Sequence, residues 1–465
     1  MKRKKFIVIA VICIAIGSLW YHGYKYFNTT SSLLGKIPPN AEQIAKVSLF
    51  KIKETLVLDA LSSPGFYYNQ ISFKGTEKEK DTSVEKGIDL QPFSQPFYTL
   101  PEHTNTWFTI LPIANGKDFN AYIKSYAKEK NANIETLEAY QWVRLEKNKV
   151  ICAWTNEALI IAFTLKANDA FLHTAFHQAL VQKELITYKT HPIIKELSED
   201  ENHLLFKQGK DKIGLNFTDG AIIIDGLWIT EGNLLFKKDQ QIPAPENSAF
   251  NFLMDANLHH KENKDWIGAQ LHKMSFLSKA NIEVDSLLRY STGVITLAVE
   301  GTTTQQDTVV TYEYDDNFEK VAIKTVQEKE VPQITLHLQT KEIGLKQYLQ
   351  SVNAIDLQDN FAAFPFYTLS VSETENQLQW SNALSKVPTQ NKTMDGFMEA
   401  NINIEKLPLS LISTKAEKLS HILSSMEVKG VQEHDTTLNI SAKIYAKEAD
   451  INSASQLFFG LQEKQ

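Results

Sequence analysis

Short runs of alternating apolar and polar residues follow one another too closely for a parallel, doubly wound sheet, where a crossover helix must separate successive strands. Residues 141–145, 150–154 and 158–163 form one such meander. Residues 213–217, 221–229 and 233–236 form a second, punctuated by Asp219-Gly220 and Glu231-Gly232. Residues 308–314 and 319–326 flank Asp315-Asp316-Asn317 as a hairpin. The expected class is α+β with antiparallel sheets.

A second pattern is superimposed on the first: an alternating strand runs directly into an amphipathic helix. Residues 45–50 lead into 51–61, and 107–113 lead into 117–130, where Phe119, Tyr122, Ile123 and Tyr126 share one helical face. The pattern returns at 250–258 with 264–276, at 333–338 with 341–352, and at 397–404 with a helix near Leu407. Two stretches also repeat by residue. Ile88-Asp89-Leu90-Gln91 recurs as Ile355-Asp356-Leu357-Gln358, and Pro96-Phe97-Tyr98-Thr99-Leu100 as Pro365-Phe366-Tyr367-Thr368-Leu369, in the same order. An old duplication is the reading, with related halves at 37–240 and 249–465 joined by a Pro-containing linker at 241–248.

The N-terminus reads as a membrane signal anchor. Lys2, Arg3, Lys4 and Lys5 precede an apolar run from Phe6 to Trp20, and Tyr21, Tyr24, Tyr26 and Phe27 follow as an aromatic collar. Residues 1–5 are then a cytoplasmic basic tail, 6–27 a transmembrane helix, and 28–36 a polar linker to a domain on the far side. A cleaved signal peptide ending near Ala15-Ile16-Gly17 is the competing reading, and both lead to export. With Cys13 in that run and Cys152 alone beyond it, the exported part forms no internal disulfide and relies on core burial. A bacterial periplasm fits this cysteine usage.

Charge removes one class of partner. The net charge is −7, yet the first 27 residues hold five basic and no acidic side chains, so the remainder is more acidic than the whole. Such a surface repels phosphate backbones, and no Lys/Arg stripe offsets it, so nucleic acid is excluded.

No catalytic or cofactor motif stands out. Nucleophile elbows, zinc-protease and phosphate-loop signatures are missing from the sequence. His173 and His177 have helical metal-ligand spacing but no acidic or sulfur partner beside them, and His259-His260 on extended backbone point to opposite faces. Ser198-Glu199-Asp200-Glu201-Asn202 lacks the ligand spacing of a calcium loop. No metal and no cofactor are expected. The duplicated aromatic segments place Phe97, Tyr98, Phe366 and Tyr367 as groove-lining residues for a lipid or peptide, against the plainer reading that they are core strand residues.

Ile37-Pro38-Pro39-Asn40-Ala41, followed by a strand and an amphipathic helix, resembles a loose group of membrane-anchored bacterial envelope proteins of unknown function. That resemblance implies the inner-membrane location, with the C-terminal domain in the periplasm, and a two-part fold. It implies no chemistry. The expectation is a periplasmic binding or scaffold protein for a lipid, a peptide or another envelope protein. A periplasmic hydrolase whose site assembles only in the fold is the alternative.

Overall fold

A computed structural model describes residues 23–72, 86–90, 93–166, 168–230, 232–236, 240–245, 248–314, 320–361, 368–383, 389–409 and 414–461. The chain divides into two compact units, Met1–Phe217 and Thr218–Gln465. The boundary falls well before the Pro-containing segment proposed from sequence.

Unit one is built on an antiparallel sheet of β1 (Gln43–Val47), β2 (Gln95–Tyr98), β3 (Thr106–Pro112), β4 (Ile134–Thr136), β5 (Gln141–Leu145), β6 (Val150–Trp154), β7 (Ala158–Thr164), β8 (Leu204–Gln208) and β9 (Asp211–Thr218). Pairing gives the order β4-β5-β6-β7-β3-β2-β1-β8-β9. Helices α1 over 23–33, α2 (Leu49–Ser62), α3 (Pro64–Ser72), α4 (Gly116–Glu129), α5 (Asp169–Phe176) and α6 (Pro192–Glu199) complete it. Helix α4 shows why the local sequence folds this way. The Asn115 side chain accepts from the amides of Lys117 and Asp118, and Phe119, Ile123 and Ala127 bury one face. Phe108, Ile110, Tyr140, Trp142 and Phe176 form the centre of the largest core of this unit.

Unit two is likewise built of antiparallel strands. It comprises β10 (Ala221–Ile229), β12 (Phe250–Asp255), β13 (Ser291–Tyr314), β14 (Lys320–Thr340), β15 (Ser370–Thr374), β16 (Gln377–Ser381), β18 (Met398–Asn403), β19 (Leu423–His434) and β20 (Thr437–Ala446). The order is β10-β20-β19-β18-β12-β13-β14-β16-β15. β11 (Gln240–Pro245) pairs separately with β17 (Thr389–Met394), so most of the presumed linker 241–248 is strand. Helices at Lys261–Leu271, Val284–Tyr290 and Leu345–Ser351 cover a core that includes Leu288, Leu338, Leu349, Leu378 and Trp380.

The expected fold of a transmembrane helix followed by two related halves is overturned in favour of large antiparallel sheet with helices. Residues 1–22 lie outside the described residues, and among those described no helix is long and apolar enough to cross a membrane. The described end of the expected span belongs to α1, and two of its aromatic residues make protein contacts while staying about half exposed. Tyr24 meets Phe93 edge-on at 5.7 Å, and the Lys189 ammonium lies 4.0 Å from the centre of the Phe27 ring. The two Ile-Asp-Leu-Gln segments sit in different local settings, Ile88 bridging to Ile113 and Ile355 to Phe361. Residues 362–367, which hold most of the second Pro-Phe-Tyr-Thr-Leu segment, lie outside the described residues.

The segment 28–36 is packed rather than extended. Thr30, Ser32, Leu33 and Lys36 are buried, and the Thr30 hydroxyl donates to the Tyr26 carbonyl and is hydrogen-bonded to Ser198 Oγ. Leu33 joins Ile37, Ile44, Ile186, Ile194, Leu197 and Leu205 in a core of its own. Leu33→Ala is therefore expected to cost about 2–4 kcal/mol in a urea unfolding curve of the whole chain. Leu357→Ala, at a side chain 97 % exposed, should leave the curve unchanged.

Candidate functional site

In unit one, a cleft of about 450 Å³ opens between the Pro38-Pro39-Asn40 turn, the end of α5 and β2. That volume lies in the range of small-molecule sites. Three local features make the opening.

The first is the helix. After α5 the chain widens into a π-helix, His177–Gln182, a rare form enriched at functional sites. Lys183 ends it in the left-handed region at φ 54°, and the Glu184 amide returns to the Gln178 carbonyl at 3.1 Å. Ala175, Gln178 and Ala179 turn toward the cleft, and the two alanines leave space that larger side chains would fill. The second feature is the turn. The Ala41 amide donates to the Pro38 carbonyl, while Ile186 N donates to Ile37 O at 2.9 Å, which clamps the turn beside Leu185. Proline at two successive positions fixes the backbone and removes two donors that would otherwise need partners here.

Tyr98 is the third. It sits on β2 opposite Ile44 of β1 and Phe108 of β3, and its ring stacks on Phe108 at 5.6 Å. It is 2 % exposed, and burial pushes its phenol well above the ordinary range, so the group is a neutral O–H. Among the described residues nothing hydrogen-bonds that hydroxyl, and Tyr98 lines the cleft together with Leu100. An apolar floor with one neutral donor–acceptor and a polar rim of Asn40, Gln178, Lys183 and Glu184 results. Lys183 is tied to Glu157 at 2.9 Å, so its charge is partly met.

The structure separates the groove-lining residues read from the sequence. Tyr98 lines the cleft. Phe97, its neighbour on an extended strand, points to the other face, 6.4 Å from Phe163. Phe366 and Tyr367 lie outside the described residues. His173 bonds the Tyr140 hydroxyl at 2.9 Å and packs on Trp142, whereas His177 is exposed. His260 bonds Asn263 at 3.1 Å at the start of a helix. Among the described residues no group of three His, Cys, Asp or Glu side chains is placed to hold a metal. Sequence reasoning missed Ala175, Gln178 and Ala179, whose spacing is that of any helix face. It also missed the role of Pro38-Pro39, although that dipeptide was visible in the motif at 37–41.

Lys36 lies just before the turn and is 3 % exposed. Its ammonium donates to Gln95 Oε1 at 3.2 Å, while the Gln95 amide donates to Thr109 Oγ1 at 2.7 Å and to the Ile110 carbonyl at 3.0 Å. Burial lowers the Lys36 pKa to about 8, and Asp89 offsets part of that effect.

Comparison with known proteins gives no matching family model, no matching characterised protein and no matching solved structure.

The lowered lysine pKa has a signed consequence. The unfolded chain keeps the Lys36 proton to about pH 10.5, while the folded chain releases it near 8. Folding carries the full penalty below pH 8, and the penalty fades as pH rises from 8 toward 10.5, because the unfolded state then binds more protons. Relative to Lys36→Met, the wild type should gain on the order of 2 kcal/mol across that window in urea unfolding. Parallel pH profiles for the two proteins would count against this account.

Proposed function

We propose that this chain acts as a binding protein of the bacterial cell envelope, and that the cleft at Tyr98 takes the apolar part of an amphipathic small molecule such as a lipid acyl chain. The observation that carries the reading is the Tyr98 hydroxyl, without a protein partner among the described residues, at a cleft floored by Leu100, Ala175, Ala179 and Leu185. A ligand oxygen reaching Tyr98 adds one hydrogen bond, worth about 0.5–1.5 kcal/mol net. The apolar floor supplies the remaining affinity through burial of ligand carbon.

Envelope placement rests on the sequence: the basic block and apolar run of the first 20 residues, and cysteine usage that suits a periplasm. A peptide side chain is a second occupant of similar chemistry. The hydrolase reading requires a nucleophile and a base facing one cavity, and the residues around this cleft include no Ser, Cys, His or Asp. That composition favours binding.

A fluorescent fatty-acid analogue, followed by emission on titration, tests the assignment. Wild type should bind saturably. Ala179→Leu fills the floor and should abolish binding, while Tyr98→Phe keeps the shape and should weaken it about tenfold through loss of one hydrogen bond. Binding that Ala179→Leu leaves intact would place the probe elsewhere and defeat the proposal.

A further inference from the structure

A different cleft of unit one, about 220 Å³ in volume, lies where α1 crosses the ends of β1 and α6. Around it the hydrogen-bonding capacity is unevenly spent. Lys46, with a side chain 0 % exposed, has all three N–H groups used: the Leu197 and Asp200 carbonyls at 2.7 Å each, and the Asp200 carboxylate at 3.1 Å. Asp200 is equally committed, accepting in addition from the backbone amide and side-chain amide of Asn202 at 3.0 and 2.8 Å. This pair offers nothing to a ligand.

The donors that line the cleft itself are not used up. Lys25 has its Glu54 counter-ion at 3.7 Å, beyond hydrogen-bond reach. Lys51 donates to the Glu201 carbonyl and, at a long 3.4 Å, to Asn216 Oδ1, which leaves one N–H. Ser94 is 1 % exposed and Ser48 is 8 % exposed, and among the described residues neither hydroxyl has a partner. Glu199 and Glu201 border the same cleft; Glu199 lies 3.9 Å from Lys195, while Glu201 and Glu54 act on Lys51 as counter-charges.

Two ammonium groups and two hydroxyls with unused donors line one cavity, and the Asp200 carboxylate beside them is already paired with Lys46. We infer that this cleft binds an oxyanion of phosphate or carboxylate type, held by Lys25, Lys51, Ser48 and Ser94. Burial and the nearby Lys25 charge hold the Lys51 ammonium below the ordinary lysine range, and an anion between the two relieves that repulsion.

The test titrates full-length protein with inorganic phosphate at constant ionic strength, with chloride as control, reading the thermal unfolding midpoint and ³¹P line broadening. Wild type should show saturable stabilisation specific to phosphate. Ser94→Ala, which leaves the fold's ion pairs untouched, should weaken it about tenfold, and Lys51→Met should abolish it. No saturation, or the same saturation in both variants, would mean an adventitious ion only and would overturn the proposal. Vesicles containing phosphatidylglycerol separate the sources. Vesicle binding that phosphate displaces assigns the oxyanion to a lipid headgroup, and phosphate binding without vesicle binding assigns it to a free anion.

Discussion

The ammonium of Lys46 is the contact on which unit one is assembled. Taking a lysine fully out of water costs several kcal/mol, which only close and complete partners return. Here the partners are the last carbonyls of α6 and the carboxylate of Asp200. A cation at a helix C-terminus also meets the negative end of the helix dipole. The consequence reaches beyond the pair. β1 lies between β2 and β8, and its inward positions are Ile44 and Lys46. A one-residue slip of β1 would turn Lys46 away from α6 and leave the helix carbonyls and Asp200 unmatched. The ion pair therefore sets the register of β1. That register places Tyr98 opposite Ile44 and fixes where β2 presents its hydroxyl.

Period and turn chemistry made much of the fold legible. α4, the 141–164 meander and the long β13–β14 hairpin follow from patterns that local residues determine. The errors share a different cause. Thr30, Ser31 and Ser32 have the composition of a linker, yet their hydroxyls find carbonyls one turn back in α1, and Thr30 finds Ser198 from a distant element. Composition does not reveal a tertiary acceptor. Pro243 and Pro245 read as breakers but sit in a two-stranded sheet, where a missing amide is tolerated at an edge. Lys46 carried a usable signal, a charged residue at an inward position of an alternating strand. Recognising it required knowing that α6 ends beside β1.

The cleft at Tyr98 shows how local irregularity creates room in a packed unit. An α-helical continuation past Phe176 would carry the next turn along the core, but the π-helix widens the turn and a left-handed Lys183 reverses the chain. Such features cost stability where they occur and persist when the surroundings hold them. Tertiary packing does so here, through Leu172, Phe176 and Leu180 in the core on the inner side. The open side then has two alanines facing Tyr98, and no neighbouring side chain closes the gap. A regular helix with leucine at either position would have given ordinary core.

The stretch from α1 to the Pro38-Pro39 turn borders both clefts: Lys25 and Thr29 face one, and Pro38, Pro39 and Asn40 face the other. α1 is held in place through Leu33, Thr30 and Tyr24. Any ligand that binds only when this stretch is docked stabilises the docked form by mass action, about 2.7 kcal/mol at a hundred times its dissociation constant. Lys36 lies between the two sites and is bound to Gln95 in the strand that carries Tyr98. Ligands at the two proposed sites would therefore both stabilise the docked form of the same segment.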